Sequence, residues 1–146
     1  AAIKEKELDV VTMWHVMEHI QEPDRMWDEL HRTLADRGVA IIAVPNCSSY
    51  DAQKYKEHWA AYDVPRHLWH FTPSTIALWA GKHGFTLEKQ YTMPFDGFYI
   101  SMLSEQYKGS CLHTVKGFWN GLKGWFAQCR RDSASSSIIY VFRKKR

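Results

Sequence analysis

The sequence has 146 residues, seven each of Trp, Tyr and Phe, and a net charge of +3, a composition that excludes a disordered chain and suits one packed domain or a large part of one. No apolar run approaches the roughly 18 residues of a membrane-spanning helix, and no charged-then-apolar leader opens the sequence, so neither a secreted nor a membrane-spanning protein is expected. The basic residues gather at Arg130-Arg131 and Arg143-Lys144-Lys145-Arg146 without an RNA-binding motif or zinc-finger spacing, which reads as a solvated tail and no nucleic-acid partner.

Leu8 to Trp14 is short, apolar and β-branched, and reads as a parallel-type strand buried on both faces. Pro23 and Asp24 then suit the first turn of a helix. Met26, Trp27, Leu30 and Leu34 continue it at helical spacing through Ala35, with Gly38 as the stop. Val39 to Val44 is a second buried strand, ended by Pro45-Asn46, so residues 8–44 form a βαβ unit. A short helix is expected around Ala52–His58, followed by an ordered loop to Phe71. Thr72-Pro73-Ser74 opens another helix, which ends within Gly81–Gly84. Phe85–Tyr91 alternates like a third strand, and Ser137–Phe142 is a fourth.

A helical insertion is expected over about residues 97–130. Leu112, Val115, Phe118, Trp119, Leu122, Trp125 and Phe126 form one apolar face, bordered by Lys116, Lys123 and Arg130. Three readings stand for it: a helix capping its own domain, an aromatic lid over an apolar substrate, and a helix lying on a membrane surface through residues 112–126. Gly117, Gly121 and Gly124 weaken such a helix. Cys47, Cys111 and Cys129 are odd in number and far apart, as reduced thiols of a cytoplasmic protein would be.

Residues 15 to 20, HVMEHI, contain H-x-x-E-H. On a helix this is a zinc-protease pattern that puts His15 and His19 one turn apart on one face. Here it directly follows a strand, and Pro23 starts the helix only later. The carboxyl end of a parallel strand is where open α/β sheets bind ligands. His15 to His19 are therefore expected to line a crevice floor, with no metal.

The stretch LDVVTMWHVMEHIQEPDRMWDELHRTLADRGVAIIAVPN, residues 8 to 46, resembles the fourth strand, following helix and fifth strand of class I S-adenosylmethionine-dependent methyltransferases. Val16, Glu18, His19, Pro23, Gly38, Pro45 and Asn46 match the family's turn, helix and strand-end positions in order. Asp63-Val64-Pro65-Arg66-His67-Leu68-Trp69-His70-Phe71-Thr72 is similar to a segment of the ubiquinone-methyltransferase-like branch, and Gly84-Phe85 before a strand is a family habit. The resemblance implies an α/β fold: a partial Rossmann-like methyltransferase sheet, strands four to seven with the last antiparallel, with flanking helices and the helical insertion. It also implies a glycine-rich loop and an acidic residue for the cofactor's ribose. Neither is found in these residues, so residues 1–146 are expected to be the carboxy-terminal part of a methyltransferase domain, inactive alone. An unprotected edge at Leu8–Trp14 would then favour self-association.

The function expected from the resemblance is methyl transfer from S-adenosylmethionine to a small-molecule acceptor, apolar or aromatic. Trp14, His15, Val16, Glu18 and His19 are the cofactor-side candidates, though Glu18 and His19 would equally order the turn by bonding each other. His67 is the candidate general base, His70 the second, with Asp63 orienting His67. Tyr50, Trp59, Tyr62 and Trp69 are candidate stacking walls. A non-catalytic binding module on the same scaffold is the alternative, and a zinc hydrolase the remote one.

Overall fold

A computed structural model describes residues 7–145. Strand β1 (Leu8–Trp14) leads through a 3-10 turn (Met17–His19) into helix α1 (Pro23–Thr33), with proline in its first turn beside Asp24. Strand β2 (Leu34–Pro45) starts as soon as α1 ends. The helix therefore stops at Thr33, short of Ala35. Leu34 is already extended and pairs with Leu8. The β1–β2 register then slips before Val10 meets Val39, and Arg37 takes a φ of 66° in the slipped segment. Gly38 lies where this bulge closes. A Cβ there would stand 2.9 Å from the Ala35 carbonyl oxygen and 3.0 Å from that of Leu8. The glycine permits close backbone approach inside the strand pair; it does not terminate the helix.

Short helix α2 (Tyr50–Tyr55) is capped by the Ser49 hydroxyl, which accepts from the Ala52 amide. Helix α3 (Pro73–Lys82) opens with a reciprocal box between Thr72 and Thr75. Gly84, at φ 79°, turns the chain into strand β3 (Phe85–Thr92). Helices α4 (Asp96–Tyr107) and α5 (His113–Arg130) form the insertion, and strand β4 (Ser137–Lys144) completes the sheet.

The sheet order is β1-β2-β4-β3, with β1 and β2 parallel and β4 antiparallel to both neighbours. The last strand is thus antiparallel, as expected. Trp27 and Leu30 of α1 and Ile76 and Ala80 of α3 pack with Ile42, Phe85, Tyr140 and Phe142 in one core. Trp27 is fully buried, 5.4 Å from the rings of both Phe85 and Phe142; truncating it to Ala would cost about 3–5 kcal/mol.

The opposite face of the sheet is covered far less. Directly paired positions share a face, which puts Val10, Thr12 and Trp14 beside Val39, Ile41 and Ala43, and these beside Val141 and Ile139 of β4. Ile41, Ile139 and Val141 are half-buried; Val10, Thr12 and Trp14 are exposed. The expectation that β1 is buried on both faces is not met: only Met13 is buried. The strand is a sheet edge, and no described helix closes over its outer face.

The insertion also differs from its expected packing. Gly117 and Gly121 are buried against α4, where an added Cβ would fall 2.4 Å from the Met102 Cα and 2.7 Å from the Phe98 Cα. The order of these contacts makes the two helices antiparallel. The glycines, read as weakening the helix, are its contact face. Most of the apolar face points away: Leu112, Val115, Phe118, Trp119 and Phe126 are exposed, while Leu122 and Trp125 are half-buried. Among the described residues, no helix is long and apolar enough to cross a membrane.

Candidate active site

Because β1 and β2 run parallel, their carboxyl ends meet at one rim. Trp14 pairs with Ala43, and the His15 amide donates to the Ala43 carbonyl at 3.0 Å. His15 then takes a φ of 52° and swings the chain off the sheet. Trp14 and Val16 remain exposed at this rim. The H-x-x-E-H residues do not share a helix: His15 lies at the strand exit and His19 ends a single 3-10 turn. The zinc-protease geometry is absent, since the strand persists to Trp14 and leaves His15 outside any helical turn that holds His19.

Glu18 is fully buried. Its Oε1 lies 3.2 Å from His15 Nδ1, and not from His19. The Nε2 of His15 faces the Asp96 carboxylate at 3.7 Å, from the start of α4. The bond to Glu18 and the charge of Asp96 raise the His15 pKa above its ordinary value, against the opposing effect of burial. Glu18 thus turns inward, towards the histidine, rather than out to the rim.

The loop carrying Asp63, His67 and His70 docks on this turn through the backbone. Leu68 and Trp69 amides donate to the Glu18 carbonyl at 2.8 and 3.3 Å, and the Trp69 indole donates to the Ile20 carbonyl at 2.8 Å. His19 Nδ1 donates to the Arg66 carbonyl at 3.0 Å. His67 Nδ1 donates to the Ala61 carbonyl at 2.8 Å, and its ring meets His19 edge-on at 4.7 Å. Asp63 does not orient His67 as expected. Its carboxylate is engaged by Arg66 at 2.7 Å and stands 3.9 Å from His67 Nε2, so the Ala61 carbonyl holds the ring instead. His70 is exposed, with Nε2 on the Tyr62 carbonyl at 3.0 Å and its ring against Tyr62. The structure therefore gathers Glu18, His19, His67 and Asp63, and leaves His70 on a separate anchor.

Of the proposed stacking walls, Trp59 is core: it is buried and its indole donates to Asp51 at 2.8 Å. Trp69 packs on Trp79. Two polar residues make contacts that the sequence did not mark. Asn46, fully buried, donates to the Ser133 and Ser135 carbonyls and accepts from Ser48, tying the end of β2 to the approach of β4. Asp96 accepts from Ser137 Oγ while facing His15. The Pro45-Asn46 pair was legible as a strand end, but nothing local marks Asn46 as a clamp on residues nearly ninety positions away.

Residues 1–90 match a family model described as a methyltransferase domain. The chain belongs to that family. No curated protein matches the sequence. Among solved structures, the methyltransferase domain is similar to Haemonchus contortus phosphoethanolamine N-methyltransferase 2 in complex with S-adenosyl-L-methionine (TM-score 0.52, 15% identity, 95% of this chain and 34% of that one). It is also similar to Burkholderia thailandensis 1,6-didemethyltoxoflavin-N1-methyltransferase (0.55, 13%, 99% and 47%) and to the cyclopropane synthase MmaA2 of Mycobacterium tuberculosis (0.54, 11%, 96% and 56%). At these identities the likeness shows the fold. The chain spans from 34% to 60% of the length of these and similar solved structures.

Proposed function

We propose that this chain is the acceptor-side, carboxy-terminal part of an S-adenosylmethionine-dependent methyltransferase acting on a small molecule. The observation that carries this reading is the pairing of an open sheet with a built rim. No described residue covers the edge or the outer face of β1, while the loops beyond the strand ends are tightly organised around Glu18. A fold family whose relatives bind S-adenosylmethionine or its product supplies the missing half: further strands pairing with β1 and carrying the rest of the cofactor cradle.

The residues present fit part of that cofactor. Trp14 offers an exposed ring and Val16 an apolar contact at the rim. His15 and His19 lie beside them, whereas the Glu18 carboxylate is fully buried and bonded to His15. When bound, the cofactor supplies a methyl group on a sulfonium sulfur. The chain itself aligns the acceptor and takes its proton. His67 suits proton removal, because a carbonyl can only accept. The bond to Ala61 therefore puts the hydrogen on Nδ1 and leaves Nε2 with a lone pair. Asp63 holds the loop through Arg66, and His70 anchors its far end on Tyr62.

The Asp63–Thr72 segment supports the ubiquinone-methyltransferase-like branch, and with it an apolar or ring-bearing acceptor. The exposed aromatic face of α5 supports peripheral contact with a membrane surface; the free cysteines fit a cytoplasmic protein. Calorimetry with S-adenosylmethionine tests the proposal. The isolated chain should give no heat of binding, and the same chain joined to its amino-terminal half should bind one equivalent. A joined protein that ignores the cofactor would leave the non-catalytic binding module as the surviving reading.

A further inference from the structure

We propose that Glu18, His19 and His67 form a binding site for a divalent first-row transition-metal ion. One donor atom from each lies within 4.8 Å of the other two. Zinc-type bonds of about 2.0–2.2 Å put neighbouring donors about 3.4 Å apart. Closure onto an ion therefore needs only side-chain adjustment.

Three features favour a ligand here over a merely packed cluster. Both histidines have Nδ1 on a backbone carbonyl, Arg66 for His19 and Ala61 for His67. This is the arrangement that fixes the tautomer of a metal-binding imidazole and frees Nε2. Glu18 is fully buried, yet its Oε2 has no hydrogen-bond donor among the described residues. Burying a carboxylate oxygen without a partner is unfavourable, and a cation would remove that penalty. Finally, the other oxygen of Glu18 is held by His15, itself facing Asp96, so the carboxylate is oriented from behind as metal-binding carboxylates are.

The set differs from the H-x-x-E-H pattern, because His15 supports the carboxylate while His67, from a distant loop, completes the donors. Two nitrogens and one oxygen suit zinc, cobalt or iron rather than magnesium or calcium. Three protein donors leave coordination positions open, and His19 is exposed, so a water or an acceptor oxygen can enter. Such an ion makes a bound hydroxyl more acidic. It also takes the His67 lone pair. The ion-loaded chain would then release the acceptor hydroxyl's proton to solvent water, and the ion-free chain would pass it to His67 Nε2.

The test needs no cofactor, so its failure is distinct from failure of the methyl-transfer reading. The purified chain is titrated calorimetrically with Zn2+ in a non-chelating buffer, and with Co2+ followed by its visible absorption. One equivalent is expected. His19→Ala and His67→Ala should each weaken binding more than about tenfold, and His15→Gln by about tenfold. His58→Ala, at a half-exposed histidine outside the cluster, should leave it unchanged. Because Glu18 is buried, Glu18→Gln is read beside the solvent-facing His19→Ala, whose fold is checked by circular dichroism. Absence of binding, or equal binding by wild type, His19→Ala and His67→Ala, overturns the proposal.

Discussion

His15 couples three parts of the chain through one ring, and its titration should be visible in stability. Its pKa is raised in the folded protein, chiefly by the Glu18 bond and then by Asp96. The folded state therefore holds this proton more tightly than the unfolded state. Its contribution is fully present below about pH 6.5 and is lost as the pH rises through the higher folded value. Thermal melts should show a lower midpoint at pH 8.5 than at pH 6, and His15→Gln should flatten that difference. An unchanged slope in the variant would show that another group governs it. Asn46 makes a second residue-scale case. Removing its amide leaves the Ser133 and Ser135 carbonyls without that donor. Asn46→Ala should cost about 1–3 kcal/mol in a denaturant titration.

At the scale of elements, α5 shows where sequence patterning misleads. Its aromatic residues recur at helical spacing, which normally marks the buried stripe. The competing signal was Gly117 and Gly121, four apart, which let two backbones touch. Such spacing is informative only once the partner helix is known, and the bulk of Met102 and Phe98 gave no hint of it. Gly121→Leu should therefore destabilise by more than about 1–3 kcal/mol, since the obstacle is the Phe98 backbone. The double change Phe118→Ser, Trp119→Ser should stay within about 0.5 kcal/mol of wild type. The same double variant should lose co-sedimentation with vesicles rich in anionic lipid, if the basic residues Lys116, Lys123 and Arg130 bring that face to a membrane surface. By contrast, α1 and α3 were readable because proline, threonine and glycine signals coincided with apolar periodicity at Pro23, Thr72-Pro73 and Gly84. The rim was legible for a related reason: a strand followed so closely by Pro23 has no space for an α-helix spanning His15 and His19. The placement of His67 was not legible, because it depends on backbone bonds from Leu68 and Trp69 to Glu18.

For the molecule as a whole, the exposed edge of β1 predicts association. Among the described residues its amides and carbonyls on the outer side have no strand beside them, and none protects them with proline or a bulge beyond the start of the strand. Sedimentation of the isolated chain should show dimers or larger species in the micromolar range. Val10→Lys, which places a charge on the outward face, should shift them to monomer. A wild-type monomer at all concentrations would remove the argument from the bare edge.

The position of β4 has a consequence for how the protein is made. It is synthesised after the three other strands, yet lies between β2 and β3. Until it emerges from the ribosome, β3 has no neighbour, and Tyr140 and Phe142 are missing from the centre of the core. Joining Ala40 to Phe142 spans roughly a hundred residues, a separation that slows folding. A nascent chain cut at Asp132 should thus expose apolar strands to chaperones, and the later synthesis of the eight residues Ser137–Lys144 would let the sheet close in a single late event.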